Sequence, residues 1–393
     1  MGFSSVELFA GAGGLALGGA LCGLEHQAMV EINPVAGSTL RHNAQQLFHA
    51  ASPVILTQDV RTVSFEHLGH IDIVTGGPPC QPFSLGGKGL SHNDERDMFP
   101  AAVSVIRQTQ PSCFVLENVK GLLRESFASY FSYIILRLTY PEVTLKEDES
   151  WQEHLGRLEQ LKTSGYQSGL TYRVVWRLVN AADYGVPQRR ERVFIVGFRS
   201  DLDVSFSFPE PTHCKEALLC EQENGGSYWE RYNLTPPQDW TKSKISAAAR
   251  ERVRAKGLRP WRTVRDVLSD LPEPSASACL LFSGHVYQPG ARSYPGHTGS
   301  VLDLPAKTIK AGAHGVPGGE NMLDLGGGKY RYLTVREAAR LQTFPDSYSF
   351  AGTWSDCMKQ IGNAVPVRLA QTILTAVSET LAQGTDCNKV SSV

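Results

Sequence analysis

The stretch SSVELFAGAGGLA (4–16) decides the fold. It predicts a strand over 4–9, a turn of the form G-x-G-x-x-A, and a helix that runs to about Gly23. The glycines permit a tight turn and let a ligand approach the backbone, and Glu31 ends the next predicted strand. An acid at that place can accept hydrogen bonds from two ribose hydroxyls. The pattern therefore predicts an adenosine-containing cofactor, either a nicotinamide dinucleotide or S-adenosylmethionine.

Short apolar runs alternate with helical stretches along the first half of the chain. The runs are HQAMVEIN (26–33), VILTQDV (54–60), IDIVTGG (71–77), CFVLENV (113–119), TYRVVWRLVNA (171–181) and RVFIVGF (192–198). Such alternation predicts an α/β domain with a parallel sheet covered by helices on both faces. Asp59 ends the third strand, where we expect it to meet the edge of an adenine.

The alternation stops near residue 205, which divides the 393-residue chain. We expect a first domain over 1–205 with a polar insertion at about 140–168, and a second, irregular domain over 206–330. Regular structure then returns over 331–385, before a tail at 386–393. Within the return, LTVREAARLQTF predicts a helix capped by Thr334 and Glu337, and residues 362–382 predict the last helix.

Charge and cysteine content exclude several classes of protein. The net charge of −1 argues against a bulk polycation, yet residues 240–310 hold 12 Lys and Arg against five Asp and Glu. That excess predicts either a nucleic-acid surface or a solvated face. The eight cysteines form no C-x-x-C, so we expect a reducing compartment and no zinc site. The apolar stretch 6–24 contains six glycines, which argues against a membrane helix.

The loop GGPPCQPFS (76–84) follows the fourth predicted strand. Loops at the carboxyl ends of parallel strands form the ligand crevice of such sheets. The prolines stiffen the loop, so a thiol can be held at a fixed angle. Cys80 is therefore predicted to be a nucleophile, with Arg190 and Arg192 as candidate cations that lower its pKa.

These motifs together resemble the DNA (cytosine-5) methyltransferase family of the bacterial restriction-modification type. The matching segments occur in the family's order, as FAGAGG (9–14), PPCQPFS (78–84), ENV (117–119), QRRER (188–192), LTVREAARLQTFPD (333–346) and QIGNAV (360–365). The resemblance implies a Rossmann-like S-adenosylmethionine-dependent methyltransferase sheet over 1–205. It also implies that 206–330 is a smaller, irregular target-recognition domain.

The resemblance assigns four catalytic positions. Cys80 is the thiolate that adds to carbon 6 of cytosine, which makes carbon 5 nucleophilic. Glu117 stabilises the ring at nitrogen 3, and to donate a proton there it needs a raised pKa in a dry pocket. Arg192 holds the exocyclic oxygen of the base, and Arg190 supports the loop.

The implied cofactor is S-adenosylmethionine, which leaves as S-adenosylhomocysteine, and no metal is expected. Its adenine and ribose are contacted by side chains from the ends of the first strands, with backbone at the glycines and at Val60. The implied cofactor residues are Phe9, Gly11, Gly13, Glu31, Ile32, Asp59, Val60, Phe99 and Asn363.

The implied substrate is double-stranded DNA. A target cytosine must be flipped out of the duplex, and the glycine-rich stretch Ser84–Arg96 resembles the family's loop that closes over it. The implied DNA-contacting residues are Gln81, Ser84, Lys88, Arg96 and Thr308. We expect a monomer without membrane attachment, in the cytoplasm and bound to the nucleoid through DNA.

Three other interpretations stay open on the sequence. A tRNA cytosine-5 methyltransferase would use the same chemistry, but the long region between the motifs favours duplex reading. A DNA-binding regulator that lost catalysis is disfavoured by the intact Cys80, Glu117 and Arg192. A nicotinamide dehydrogenase would explain the glycine turn but not the PPCQ and ENV segments.

Overall fold

The computed structural model describes residues 2–47, 53–79, 97–223, 226–237, 245–295, 298–311 and 321–390, with the backbone alone at 45–47 and 385–390. The chain divides into two compact units. The first comprises Met1–Val179, Glu191–Phe208 and Ala370–Val393, and the second comprises Asn180–Arg190 and Pro209–Leu369. The division by role that we expect from the sequence, with its return at 331–385, stays a prediction.

The first unit is built on a seven-stranded sheet. Its strands are β1 (Ser4–Leu8), β2 (Glu25–Val30), β3 (Val54–Leu56), β4 (Ile73–Gly76), β5 (Cys113–Val119), β6 (Tyr172–Asn180) and β7 (Glu191–Arg199). Their order across the sheet is β3-β2-β1-β4-β5-β7-β6. The chain order reverses between β1 and β4, and such a switch point opens a crevice beyond the carboxyl ends of the strands.

Strand direction corrects one expectation from the sequence. The pairs β1–β2, β2–β3, β1–β4 and β4–β5 are parallel, as expected. The expectation of a wholly parallel sheet is wrong, because β7 runs antiparallel to β5. A parallel neighbour needs a crossover of about a dozen residues or more. Strands β6 and β7 are neighbours in the sheet, and only residues 181–190, which hold a single 3₁₀ turn, separate them. That link is too short for two parallel neighbours, so one of these strands must run against the others.

The sheet extends in both directions from β1, so right-handed crossovers place helices on both of its faces. The helices are α1 (Gly14–Leu21), α2 (Pro34–Leu47), α3 (Phe99–Thr109), α4 (Ala128–Thr139) and α5 (Trp151–Thr163). The core between them includes Leu8, Val74, Phe114 and Ile195, none of which is exposed to solvent. Within the described ranges, no helix is long and apolar enough to cross a membrane.

Helix α5 lies within the stretch that we expect to be a polar insertion. Ser150 and Glu153 form a capping box at its start, which explains why the helix begins there. Leu158 is fully buried in the core of the first unit. The stretch is therefore polar on its outer face but attached to the core by its inner one.

The second unit holds short elements. Its helices are α6 (Lys215–Gln222), α7 (Ser227–Arg231), α8 (Ala247–Ala255), α9 (Arg265–Leu268), α10 (Ala276–Leu281), α11 (Val335–Leu341) and α12 (Trp354–Asn363). Its strands are β8 (His213–Cys214), β9 (Arg259–Pro260), β10 (Ser300–Val301), β11 (Met322–Asp324) and β12 (Tyr330–Tyr332). A small apolar cluster of Leu218, Tyr228 and Trp229 lies in this unit.

The C-terminal elements test two sequence predictions. The capping box of Thr334 and Glu337 is confirmed at the start of α11. The single helix predicted over 362–382 is wrong at its start, because α12 ends at Asn363 and a separate helix, α13 (Val367–Val390), follows. Pro366 separates the two, since the residue before a proline is disfavoured in helical conformation.

Candidate active site

The carboxyl ends of four parallel strands bring the predicted site segments of the first unit to one edge of the sheet. Because β1, β2, β4 and β5 are mutually parallel, the residues that follow them share that edge. The segments are Phe9–Gly13, Glu31, Gly77–Pro79 and Glu117–Val119. Strand β7 is antiparallel and begins at the same edge, with Arg192 opposite Val119.

The glycine turn has the backbone that the sequence predicts. Gly11 and Gly13 have φ angles of 55° and 75°, in the left-handed region that favours glycine. Phe9 also has a positive φ of 55°, which is uncommon for a residue with a side chain. A Cβ atom at Gly11 would meet no heavy atom within 4 Å, so the space beside the turn is open.

Glu31 holds this turn in place. Its Oε2 accepts the Gly11 N–H at 2.7 Å, and its Oε1 accepts the Asn33 N–H at 2.7 Å. Each carboxylate oxygen has a second lone pair, so the acid can still accept bonds from ribose hydroxyls. The next residue, Ile32, is 65% exposed, as an apolar wall for a ligand would be in the free protein.

The sequence predicts that Asp59 ends the third strand, but β3 ends at Leu56, and Asp59 lies three residues further on, at the start of a 3₁₀ turn. Its Oδ1 accepts the Arg61 N–H at 2.9 Å, and an ion pair joins the two side chains at 2.6 Å. The hydrogen bond from Arg61 lowers the pKa of Asp59, so this carboxylate is an acceptor suited to an exocyclic amine. Val60 beside it is buried.

These observations fit the adenosine part of S-adenosylmethionine. An open cradle beside Gly11, a buried acid at Glu31 and an ionised acceptor at Asp59 are the groups that such a ligand needs. Phe99, at the first position of α3, is 2% exposed and belongs to the core, which agrees less well with a direct contact. Asn363 ends α12 in the second unit, where it is exposed.

Glu117 and Arg192 form a buried ion pair. The Arg192 Nε lies 2.9 Å from the Glu117 Oε1, and the two side chains are 12% and 10% exposed. Arg192 faces Val119 across the strand pair, so Glu117 is its diagonal neighbour on the same face of the sheet. Burial lowers the pKa of Arg192, and Glu117 opposes that shift, so the guanidinium stays charged.

The pairing of Glu117 with Arg192 favours an ionised Glu117, whereas the expected chemistry needs a protonated one. A guanidinium at hydrogen-bond distance stabilises the carboxylate form of its partner. Proton donation by Glu117 to a base therefore requires that this pair be loosened when the base arrives. The raised pKa expected from the sequence stays a prediction for that bound state.

The stem of the PPC loop, residues 77–79, lies beside Glu117. The Asn118 side-chain amide donates to the Pro78 carbonyl at 3.0 Å, and a Cβ at Gly77 would lie 3.3 Å from the Glu117 Oε2. Pro78 stands two residues before Cys80 in the sequence. The predicted residues that lie outside the described ranges are Cys80, Gln81, Ser84, Lys88 and Arg96.

Arg190 is almost completely buried in the second unit, at 1% exposure. Its guanidinium donates to the carbonyls of Ile309 at 3.1 Å, Gly362 at 2.7 Å and Ala364 at 3.0 Å. This geometry ties the QRRER segment to the QIGNAV segment and to the residue that follows Thr308. Thr308, predicted to contact DNA, donates its hydroxyl to the Arg189 carbonyl at 2.7 Å.

Two buried glutamines reinforce the same region, and the sequence analysis did not single them out. Gln342 donates to the carbonyls of Ile361 at 2.7 Å and Ala364 at 3.1 Å. Gln188 donates to the Gln342 Oε1 at 3.1 Å and accepts the Ile309 N–H at 3.1 Å. Both glutamines occur inside motif segments, QRRER and LQTF, and this position was the feature of the sequence that could have identified them.

Glu7 is a second feature that the sequence analysis missed. It lies on β1 just before the glycine turn and is 2% exposed. Burial raises the pKa of Glu7 to about 8, although the Thr75 hydroxyl donates to its carboxyl group. An acid inside the otherwise apolar run VELF was the available signal.

The basic region of the second unit is partly neutralised. Arg250 pairs with Glu223 at 2.5 Å, and Arg252 pairs with Glu216 at 2.9 Å.

A second group of cations surrounds His213. Burial, and then Arg259, Arg368 and Arg262, lower the pKa of His213 to about 4, so it is neutral near pH 7. Among the described residues, no group of three or more His, Cys, Asp or Glu could hold a metal ion.

Comparison with known proteins gives a consistent result over nearly the whole chain. A family model for the C-5 cytosine-specific DNA methylase matches residues 3–140 and 145–379. The chain is 31% identical over 378 residues to the Type II methyltransferase M.NgoMIV of Neisseria gonorrhoeae, covering 95% of this chain and 96% of that one. It is 30% identical over 401 residues to M.FnuDI of Fusobacterium nucleatum, covering 98% and 96%.

Solved structures show the same fold at lower identity. A DNA modification methyltransferase encoded within an E. coli prophage has a TM-score of 0.60 and 22% identity, covering 97% of this chain and 99% of that one. Spodoptera frugiperda DNMT2 has a TM-score of 0.54 and 17% identity, covering 96% and 99%. With the ordered motifs and the family match, these findings show that the chain belongs to the C-5 cytosine-specific DNA methylase family and is a DNA (cytosine-5) methyltransferase.

Proposed function

We propose that this enzyme transfers a methyl group from S-adenosylmethionine to carbon 5 of a flipped-out cytosine in duplex DNA, through a covalent adduct with Cys80. We further propose that it is the modification enzyme of a restriction-modification system, as the Type II names of its relatives suggest. The observation that carries the mechanism is the buried Glu117–Arg192 pair beside the stem that leads to Cys80.

The cofactor site is proposed at the glycine turn. Glu31 would take the ribose, Asp59 the exocyclic amine, and the backbone at Gly11, Gly13 and Val60 would approach the nucleoside. Phe9, Ile32 and Phe99 would complete the walls, and Asn363 is the remaining cofactor residue that the resemblance implies. When bound, the sulfonium supplies an activated methyl group, and S-adenosylhomocysteine remains after transfer. The methyl group is already activated by the sulfonium, so we propose that no metal takes part.

The first chemical step is addition of the Cys80 thiolate to carbon 6 of the base. A bond forms between sulfur and carbon 6, and the electrons of the 5,6 double bond shift toward carbon 4 and nitrogen 3, which gives the enamine. Glu117 offsets the charge that develops at nitrogen 3, and Arg192 holds the exocyclic oxygen. Because both groups begin as a pair with each other, the base must replace part of their mutual contact.

Carbon 5 of the resulting enamine then takes the methyl group. Loss of the carbon 5 proton to a base restores the double bond and expels the Cys80 thiolate. Arg190 does not contact the base in this scheme. Its guanidinium donates to three backbone carbonyls and so supports the loop of the QRRER segment.

Recognition of DNA is proposed for residues 206–330, between the catalytic segments. Lys88, Arg96 and Thr308 would contact phosphates, while Gln81 and Ser84 would fill the space left by the flipped base. Phosphate contacts supply much of the affinity, and base-edge contacts supply the specificity. We propose that the enzyme acts as a monomer in the cytoplasm, bound to the nucleoid through DNA.

The direct test is transfer of labelled methyl groups from S-adenosylmethionine to duplex DNA. We expect incorporation by the wild type and none by Cys80→Ser. Methylation of tRNA but not of duplex DNA would overturn the proposal in favour of a tRNA enzyme. Bisulfite sequencing of a methylated plasmid would then identify the recognition site and the modified cytosine.

A second test traps the covalent step. DNA with 5-fluorocytosine at the target cannot lose a proton from carbon 5, so we expect a stable protein–DNA adduct on denaturing gels. Tight DNA binding without an adduct would favour a regulator that has lost catalysis. Cys80→Ser serves as the control, because it removes the nucleophile and keeps the remaining site residues.

A further inference from the structure

Asp97 lies at the point where the described chain resumes after residue 96, and its carboxylate contacts two described residues. Its Oδ1 accepts the Phe99 N–H at 3.1 Å, and its Oδ2 accepts the Tyr130 hydroxyl of α4. Next to it, the Met98 N–H donates to the Pro79 carbonyl at 3.4 Å. Asp97 therefore fixes the start of α3, which carries Phe99. The hydrogen bond between Met98 and Pro79 joins this point to the stem of the PPC loop.

Tyr130 is suited to be the donor in this contact. It is 7% exposed, and burial together with the Asp97 carboxylate raises its pKa above the ordinary value. The hydroxyl therefore keeps its proton at all pH values of interest. A protonated phenol opposite a carboxylate gives a charge-assisted hydrogen bond, which is stronger than a neutral one.

Helix α5 contacts Tyr130 through Trp151. The Trp151 ring packs edge-on against the Tyr130 ring at 5.4 Å, with an interplanar angle of 83°. Tyr133 lies beside both rings, and its hydroxyl is 2.9 Å from the His154 Nδ1. The stretch that the sequence marks as a polar insertion thus reaches Asp97 through one aromatic side chain.

We propose that Asp97 and Tyr130 are positioning residues that couple helix α5 to the start of α3, where Phe99 lies, and to the stem of the PPC loop. They do not touch the reacting atoms in this proposal. Asp97 acts through the backbone of Phe99, and Tyr130 acts through Asp97. The link to catalysis rests on the proposed function, because the cofactor contact of Phe99 belongs to it.

The experiment compares four variants of the full chain. Tyr130→Phe removes only the hydroxyl that Asp97 accepts, and Asp97→Ala removes both contacts. Tyr133→Phe is the matched control, because it removes a buried phenol hydroxyl from the same cluster without touching Asp97. Asp97→Asn keeps an acceptor oxygen and tests for partial rescue. Thermal unfolding of each variant checks that it is folded at the assay temperature.

The first measurement needs no assumption about function. We expect amide hydrogen exchange at Met98 and Phe99 to accelerate about tenfold in Tyr130→Phe and Asp97→Ala, equal to about 1.4 kcal/mol of opening free energy. Asp97→Asn should lie between Asp97→Ala and the wild type. Unchanged exchange in Tyr130→Phe, or equal acceleration in Tyr133→Phe, would overturn the coupling.

The second measurement is calorimetric binding of S-adenosylmethionine. We expect affinity to fall about tenfold in Tyr130→Phe and Asp97→Ala, and to stay unchanged in Tyr133→Phe. If the wild type binds the cofactor but these variants bind it equally well, the positioning role is overturned. If the wild type itself does not bind it, the proposed function fails, while the exchange measurement still decides the coupling.

Discussion

The Arg192 guanidinium lies 2.9 Å from the Glu117 carboxylate, across two antiparallel strands that are distant in the sequence. Each side chain is about nine-tenths buried, so each charge depends on the other for its solvation. In the proposed mechanism both groups face the same cytosine. In the free enzyme, the two groups that we propose to contact the base therefore form an ion pair with each other.

Removing one partner should be costly for both stability and rate. In Glu117→Gln we expect methyl transfer to slow by about 10²–10⁴-fold, because the acid group at nitrogen 3 is lost. Leaving Arg192 buried without its counter-charge should lower the free energy of unfolding by about 3–5 kcal/mol. Single-turnover transfer assays and urea unfolding measure the two effects.

Glu191→Gln is the control for this prediction. Glu191 is also on β7, but its carboxylate pairs with Lys120 at 2.9 Å on the surface. We expect less than about 1 kcal/mol of stability change and no change in rate. A rate loss in Glu191→Gln equal to that in Glu117→Gln would contradict the specific role of the buried pair.

Glu31→Gln should weaken cofactor binding. One amide NH₂ would face the Gly11 or Asn33 N–H, so a donor would meet a donor where the wild type has bonds of 2.7 Å. Loss of a hydrogen bond to a charged group costs about 1.5–3 kcal/mol, so we expect roughly 10–100-fold lower affinity for S-adenosylmethionine by calorimetry. Glu25→Gln, at the exposed start of β2, the strand that ends just before Glu31, should bind as the wild type does.

Glu7 should make stability depend on pH. Its pKa is about 8 in the fold against 4.5 ordinarily, so folding favours the protonated form and stability falls as pH rises from 4.5 to 8. His26 has the opposite sign, because burial lowers its pKa from 6.5 to about 4 and stability is lost as pH falls through that range. Between pH 4.5 and 6.5, the effects of Glu7 and His26 on the free energy of unfolding have opposite signs and offset each other.

The net decline should therefore appear between about pH 6.5 and 8, at up to about 1.4 kcal/mol per pH unit. Glu7→Gln cannot ionise, so its curve should lack this decline. Urea unfolding of both proteins from pH 5 to pH 9 makes the comparison. Parallel curves for the two proteins would show that Glu7 does not titrate in this window.

Arg190→Met should destabilise the second unit. Three carbonyls would lose their donor, and each buried unsatisfied group costs about 1–3 kcal/mol, so we expect a loss of at least about 3 kcal/mol. Arg190→Lys should recover only part of it, because an ammonium lacks the planar fork of a guanidinium. The exposed neighbour Arg189 is the control, and Arg189→Met should unfold as the wild type does.

Arg259 and Arg262 should set the salt dependence of DNA binding. They lie close enough to His213 and Arg368 to lower the pKa of both, which marks a local excess of positive charge. We expect Arg259→Gln and Arg262→Gln each to reduce the slope of log affinity against log salt by about 0.9, for every DNA sequence tested. Arg250→Gln, whose guanidinium pairs with Glu223, should leave the slope unchanged.

Much of the candidate site could be predicted because its signals are local. The turn at Gly11 and Gly13, the acid at Glu31 and the capping box at Thr334 each occupy a short stretch whose residue types match one backbone geometry. The order of the motifs indicated the family before any contact was known. The roles of Cys80 and of the cofactor residues stay predictions that the experiments above test.

Only the tertiary structure decided which distant groups meet. The antiparallel direction of β7 brings Arg192 to Glu117, and no local pattern near either residue contains that information. The same holds for the burial of Glu7, for the three carbonyls that Arg190 binds, and for the Asp97–Tyr130 contact. The sequence by itself determined the elements and the residue types at their ends, because propensity and periodicity act over a few residues. Partners and pKa values depend on sheet order and burial, which exist only once the chain has packed.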